Sequence, residues 1–196
     1  MNHGDHGAGI AEVADASGAP GAAVDPGARA PMPVREAVAV LMPTKGNHVS
    51  GVVRFRTDGP GTDVDVIASI DGLPAGVHAY HVHVYGDCSS PDAQSAGPHF
   101  HFVGSSFTEE RFITGNLGEL QADGKATTTQ RDRIHAMLQG KFSLLGRAVV
   151  IHEKGNNPAS PPDGAAGKRL ACGVIGVANQ GPAPSATASA ADPYHP

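Results

Sequence analysis

Gly76-Val77-His78-Ala79-Tyr80-His81-Val82-His83-Val84-Tyr85-Gly86-Asp87-Cys88 sets the reading of the whole chain. Val, Tyr and His in alternation suit a β-strand. Strand side chains change face with every residue, so His81 and His83 point the same way. Two imidazoles side by side can hold a nitrogen-seeking metal such as copper or zinc. An ordinary polar strand face would look the same, and the pair needs support from elsewhere. Ser95-Ala96-Gly97-Pro98-His99-Phe100 places a third histidine in a loop, and Ala148-Val149-Val150-Ile151-His152-Glu153-Lys154 places a fourth at the end of an apolar run. Four imidazoles from three separated segments can meet at one site.

Outward from this stretch the chain reads as short strands joined by turns. Residues 35–43 and 49–57 are strands around Thr44-Lys45-Gly46-Asn47, whose Gly and Asn tolerate positive φ. Residues 63–70 form a third strand, and Asp71-Gly72-Leu73-Pro74 turns into the His strand. Residues 87–116 have no strand period. A loop that long in a compact domain is usually functional. Residues 116–122 and 125–132 flank Asp123-Gly124, a hairpin signal. His135 follows, with core packing, a subunit contact or a metal role as its alternatives, in that order. Residues 146–152 and 169–178 are the last strands, separated by a Pro/Gly/Asn loop. Eight short strands and two long loops indicate an all-β Greek-key barrel or sandwich.

Composition bounds the rest. The chain has 196 residues, 26 Gly, 16 Pro, no Trp and a net charge of −5. This length suits one domain with a real core. We divide it into a Gly/Ala-rich flexible leader (1–33), a barrel (34–180) and a disordered tail (181–196), because the ends are too polar to offset their ordering entropy. Met1-Asn2-His3 can wrap Cu(II) through a terminal amine, two amides and an imidazole, although an unstructured tail reads the same. No Lys/Arg run suggests nucleic acid, and no apolar stretch approaches the roughly 20 residues of a membrane span. No signal peptide is visible, which fits either a cytosolic chain or a mature exported one. Cys88 and Cys172 would be thiols in a reducing compartment and a disulfide in an oxidising one.

The motifs HVHxxGDC, SAGPHF, VVIHEK and RLACGVIGVA, in that order over residues 35–180, resemble the copper/zinc superoxide dismutases. The resemblance implies a Greek-key barrel that disproportionates superoxide to oxygen and hydrogen peroxide. It implies that His81, His83 and His152 hold copper permanently, and that His99 leaves and rejoins it. His78 would brace the barrel without touching metal. Arg169 would draw in the superoxide anion, which suits a guanidinium. Cys88 would bridge to Cys172 and help to position Arg169. That bridge favours a periplasmic or extracellular location.

The zinc half of the family pattern is broken. Where the family reads RHVGDLG, this chain has Phe112-Ile113-Thr114-Gly115-Asn116-Leu117-Gly118. Ile113 replaces a zinc His and Asn116 the zinc Asp, so the expected cofactor is copper, with zinc in doubt. This resembles the copper-only members. Asn156 stands where an Asp normally links copper and zinc ligands. The loop after His152 is short, which should open the site to solvent. His99 then needs a new partner, for which His101, Glu109 and Glu110 are candidates. His101 is also a candidate to replace His99.

Two other functions fit parts of this pattern. A copper-buffering protein on the same scaffold fits the His-bearing leader, although a buffer has no need of Arg169. A metal-free partner-binding scaffold does not fit four retained histidines. A homodimer and a copper-donating partner both remain open.

Overall fold

In the computed structural model the described residues are 33–59, 63–100, 115–160 and 164–179. The expected leader apart from Pro33, the tail 181–196, and His101, Glu109, Glu110 and Ile113 lie outside them. Eight strands follow in chain order: β1 (Glu36–Pro43), β2 (Ser50–Arg56), β3 (Val64–Asp71), β4 (Gly76–His83), β5 (Asn116–Ala122), β6 (Thr128–Ile134), β7 (Ala148–His152) and β8 (Arg169–Val177). A single 3₁₀ turn, Gln94–Ala96, is the only helix among the described residues. No described helix is long and apolar enough to cross a membrane.

All strand pairings are antiparallel, and the sheet order is β5-β4-β7-β8-β1-β2-β3-β6. The chain crosses between the two halves at β3–β4, β5–β6 and β6–β7, which makes this the expected Greek-key barrel. The edge strands β5 and β6 meet at the seam. There the Tyr80 hydroxyl donates to Asp132 Oδ2 at 2.5 Å. Burial, and then the neighbouring Asp132, holds the Tyr80 phenol protonated beyond the usual tyrosine range.

Strict alternation builds the core. Val64, Val66, Ala68 and Ile70 of β3 face inward, while Asp65, Ser69 and Asp71 face out. They meet Leu41, Phe55, Tyr80, Leu117, Leu120, Ile151 and Ile175, all buried. Each fully buried side chain of this kind contributes about 1.5–3 kcal/mol. β7 departs from the pattern because all five of its residues are buried. Its outer face is covered by the loop after β4, where Cys88, Ala93 and Ala96 pack on Ala148, Val150 and Cys172 as a small second core.

The hairpin expected around Asp123-Gly124 does not form. The turn exists, but β5 pairs with β4 and β6 with β3, on opposite edges of the sheet. Asp123 Oδ1 accepts the N–H groups of Lys125 and Ala126, which keeps those residues in the turn and starts β6 later than expected. Gly124, at φ +76°, packs where an added Cβ would lie 2.8 Å from the Ala75 nitrogen. The turn is therefore pinned against the β3–β4 connection, and its strands diverge. His135 is corrected as well. It is exposed on the barrel surface, with Nδ1 3.2 Å from Asp63 Oδ1, and it is not in the core.

Candidate metal centre

Three devices bring the four histidines and Arg169 together. The first is the pleat. His81 and His83 lie on the outer face of β4, opposite Val150 and Ala148 of β7. His152, two residues beyond Val150, shares that face.

The second is a short bridge. The Val84 N–H donates to Pro98 O at 3.0 Å and the Phe100 N–H to Val82 O at 2.8 Å. These bonds bracket His83 and His99 as an antiparallel bridge pair without hydrogen bonds of its own. Side chains stand closest together in such pairs. The two rings accordingly meet at 4.7 Å between centroids.

The third is a β-bulge between Ile151 and His152. Ile151 pairs with Ala171, but His152 then pairs with Arg169 and not with Leu170. A bulge re-aims a side chain. Here Leu170 stays in the main core and Arg169 lines the cleft beside His99 and His152.

The result is a tight nest of imidazoles. One ring nitrogen from each of His81, His83, His99 and His152 lies within 4.8 Å of the others, and all four side chains are buried. The Nε2 atoms of His83 and His152 face each other at 3.3 Å. His81 lies 4.1 Å from the His99 ring and 4.8 Å from the His152 ring. Burial is the first cause that lowers the His83 pKa to about 3, with Arg169, His99 and His81 adding to it. Burial likewise lowers His152 to about 2, aided by His81, His83 and His99. Both are therefore neutral imidazoles at pH 7, the form that binds a metal. A buried set of four imidazole nitrogen donors suits copper.

The surroundings fix this geometry. Gly97 O accepts twice, from His83 Nδ1 at 2.8 Å and from Arg169 Nη2 at 2.7 Å. Arg169 Nη1 donates to Ala93 O at 2.6 Å. One loop carbonyl thus orients the candidate ligand His83 and the arginine that lines the cleft together. Gly97 has φ +76°, and an added Cβ would lie 2.7 Å from the Tyr85 ring. Gly97→Ala should therefore cost about 1–3 kcal/mol of stability. It should also weaken copper retention, since His83 loses its brace. Denaturant unfolding and metal titration of the variant check this, and an unchanged copper affinity would count against the shared-carbonyl role.

The cleft beside His99 and His152 has a volume of about 510 Å³ and is lined also by Gln94, Gly97, Pro98 and Arg169. The site is therefore approachable, although the rings themselves are buried. Cys88 and Cys172 form a disulfide 84 residues apart in sequence. His78 stands outside the cluster. Its Nδ1 lies 3.0 Å from His152 O and its Nε2 3.0 Å from Pro74 O. Asn156 accepts from His81 Nε2 at 2.8 Å. Asn116 and Asn156 are neighbours, with Nδ2 of Asn156 3.5 Å from Oδ1 of Asn116. Sequence reasoning passed over Gly97 and Glu119. A backbone carbonyl leaves no residue-type signal, and Glu119 Oε1 acts on the backbone N–H of Asn156, at 2.7 Å.

The protein-family model described as copper/zinc superoxide dismutase matches residues 49–175. A superoxide dismutase [Cu-Zn] of Onchocerca volvulus is 36% identical over 155 residues, covering 72% of this chain and 95% of that protein. Superoxide dismutase [Cu-Zn] A of Xenopus laevis is 39% identical over 148 residues, 70% of this chain and 96% of that one. The extracellular superoxide dismutase [Cu-Zn] of Rattus norvegicus is 36% identical, with 71% of this chain matching 59% of its length. With its barrel, its imidazole cluster and matches of this extent, the chain belongs to the copper/zinc superoxide dismutase family.

Proposed function

We propose that this chain is a superoxide dismutase that works with copper alone, held by His81, His83, His99 and His152. The observation that carries this reading is the convergence of four buried imidazoles with an anchored arginine in one cleft. Copper, when bound, supplies one-electron cycling between Cu(II) and Cu(I), which takes superoxide to oxygen and hydrogen peroxide. The chain supplies the rest. Arg169 presents a positive charge in the cleft and is held there by two neutral carbonyls, so the anion meets a charge that is already oriented. His99 lines the same cleft, and in this reading it is the imidazole that holds the proton peroxide needs. Asn156 steadies His81 by accepting from its Nε2.

The described residues do not fit a family-type zinc ion. Asn116 replaces the zinc Asp, and its Oδ1 already accepts from the Gly118 N–H at 3.1 Å. Among the described residues, the four histidines are the only group of three or more metal-ligating side chains. Elemental analysis after loading with both metals should give about one copper and negligible zinc, while stoichiometric zinc would overturn the copper-only reading.

Arg169→Ala should keep its copper and lose roughly 10- to 100-fold in dismutation rate, with the salt dependence flattened. Arg169→Lys should recover only part of the rate, because an ammonium cannot span both carbonyls as the guanidinium fork does. A copper-loaded Arg169→Ala protein with an undiminished rate would remove the anion-guiding role. We also place the protein in an oxidising compartment, periplasmic or extracellular, on the strength of the Cys88–Cys172 bridge. Thiol labelling of protein taken directly from cells should find no free cysteine there.

A further inference from the structure

The Nε2 edge of His81 is tied to β5 by a chain of hydrogen bonds whose direction can be worked out. It begins at the Gly118 N–H, which meets Asn116 Oδ1 at 3.1 Å. A backbone N–H can only donate, so the Asn116 atom it meets is the carbonyl oxygen. That oxygen also faces the Asn156 side chain at 3.5 Å. The Asn156 atom turned toward it must then be the NH₂ group, since the reverse orientation would set two oxygens against each other. The Asn156 oxygen is thereby aimed at His81 Nε2, 2.8 Å away. An amide oxygen can only accept, so Nε2 must carry the ring proton. A neutral imidazole has one N–H and one lone pair, and the lone pair is left on Nδ1, a buried atom. Glu119 Oε1 accepts the Asn156 backbone N–H at 2.7 Å and fixes where the amide stands.

We propose that Asn116 is a positioning residue: through Asn156 it keeps the proton of His81 on Nε2 and so presents Nδ1 to the copper. In the sequence Asn116 reads only as a lost zinc ligand. In the fold it starts a neutral relay, and this does for His81 what hydrogen-bonding partners generally do for metal-ligating histidines, setting tautomer and ring orientation. The inference rests on the assignment of His81 as a copper ligand.

The test uses the full-length, ¹⁵N-labelled, metal-free protein. Two-bond nitrogen–proton correlations of the histidine rings report which nitrogen of His81 is protonated. The parent should show Nε2–H alone. Asn116→Asp should show the same, because a carboxylate can only accept and so keeps the relay direction. Asn116→Ala frees the Asn156 amide to turn, so a Nδ1–H population should appear, and copper affinity measured by competition should fall about 10-fold. A parent carrying Nδ1–H overturns the relay, and that result does not depend on whether Asn116→Ala folds. An unchanged spectrum in a folded Asn116→Ala protein overturns the role of Asn116. If the parent shows Nε2–H and Asn116→Ala shifts it, while His81→Ala retains full copper affinity, the relay stands and the ligand assignment fails.

Discussion

His83→Ala should leave a protein that no longer retains copper through dialysis and whose dismutation rate is lower by more than ~100-fold. Changes to groups that only touch metal ligands already cost roughly 10- to 100-fold in affinity or activity, and His83 is argued to be a ligand itself. It is fully buried. Its Nδ1 is spent on Gly97 O, which leaves Nε2 directed at Nε2 of His152, 3.3 Å away. Its ring also packs on those of His99 and His152. Among the described residues no other side chain has its position, because His83 is both the bridge partner of His99 and the proposed ligand braced by the loop that anchors Arg169.

Loss of a buried ring also costs stability in the absence of metal, by about 1–3 kcal/mol. The decisive readout is therefore the response to copper. A ligand that binds only the folded state stabilises it by about 2.7 kcal/mol at a hundred times its dissociation constant. Copper should raise the melting temperature of the parent and leave that of His83→Ala where it was. A variant that still binds one equivalent of copper and melts higher for it would remove His83 from the site.

Much of this centre was legible in the chain. The HxH spacing fixes a shared strand face, and the apolar run ending at His152 fixes a neighbouring buried strand. What the sequence concealed was register. Nothing in Ile151-His152 or Arg169-Leu170 announces the bulge that turns Arg169, and not Leu170, toward the metal face. A one-residue slip of this kind depends on how two distant strands pair. The failed hairpin has the same origin. Asp123-Gly124 encodes a tight turn correctly, but whether the flanking strands pair with each other or with β3 and β4 is decided by closure of the barrel. The Asn116–Asn156 contact joins residues 40 apart and depends on amide orientation, which no local pattern encodes.

Cys88→Ser should be the most damaging change outside the histidines. The bridge closes 84 residues of chain, and chain-entropy arguments put the stabilisation from a loop of that size at about 4–5 kcal/mol. For a domain of this length that corresponds to a melting temperature lower by roughly 10–20 °C. The effect should reach the active site as well. Cys88 and Cys172 lie in the small second core where Ala93 and Ala96 seat the loop on β7 and β8. That loop carries the Ala93 and Gly97 carbonyls that hold Arg169 and His83. Release of its covalent tether should let both side chains wander. Even well below its melting temperature, the copper-loaded variant should lose rate and much of the salt sensitivity that an oriented guanidinium confers. Reduction of the parent with a phosphine should reproduce both effects, and reoxidation should reverse them. If the melting temperature falls but the rate of the folded, copper-loaded variant is unchanged, the bridge stabilises the barrel and the second core alone seats the loop.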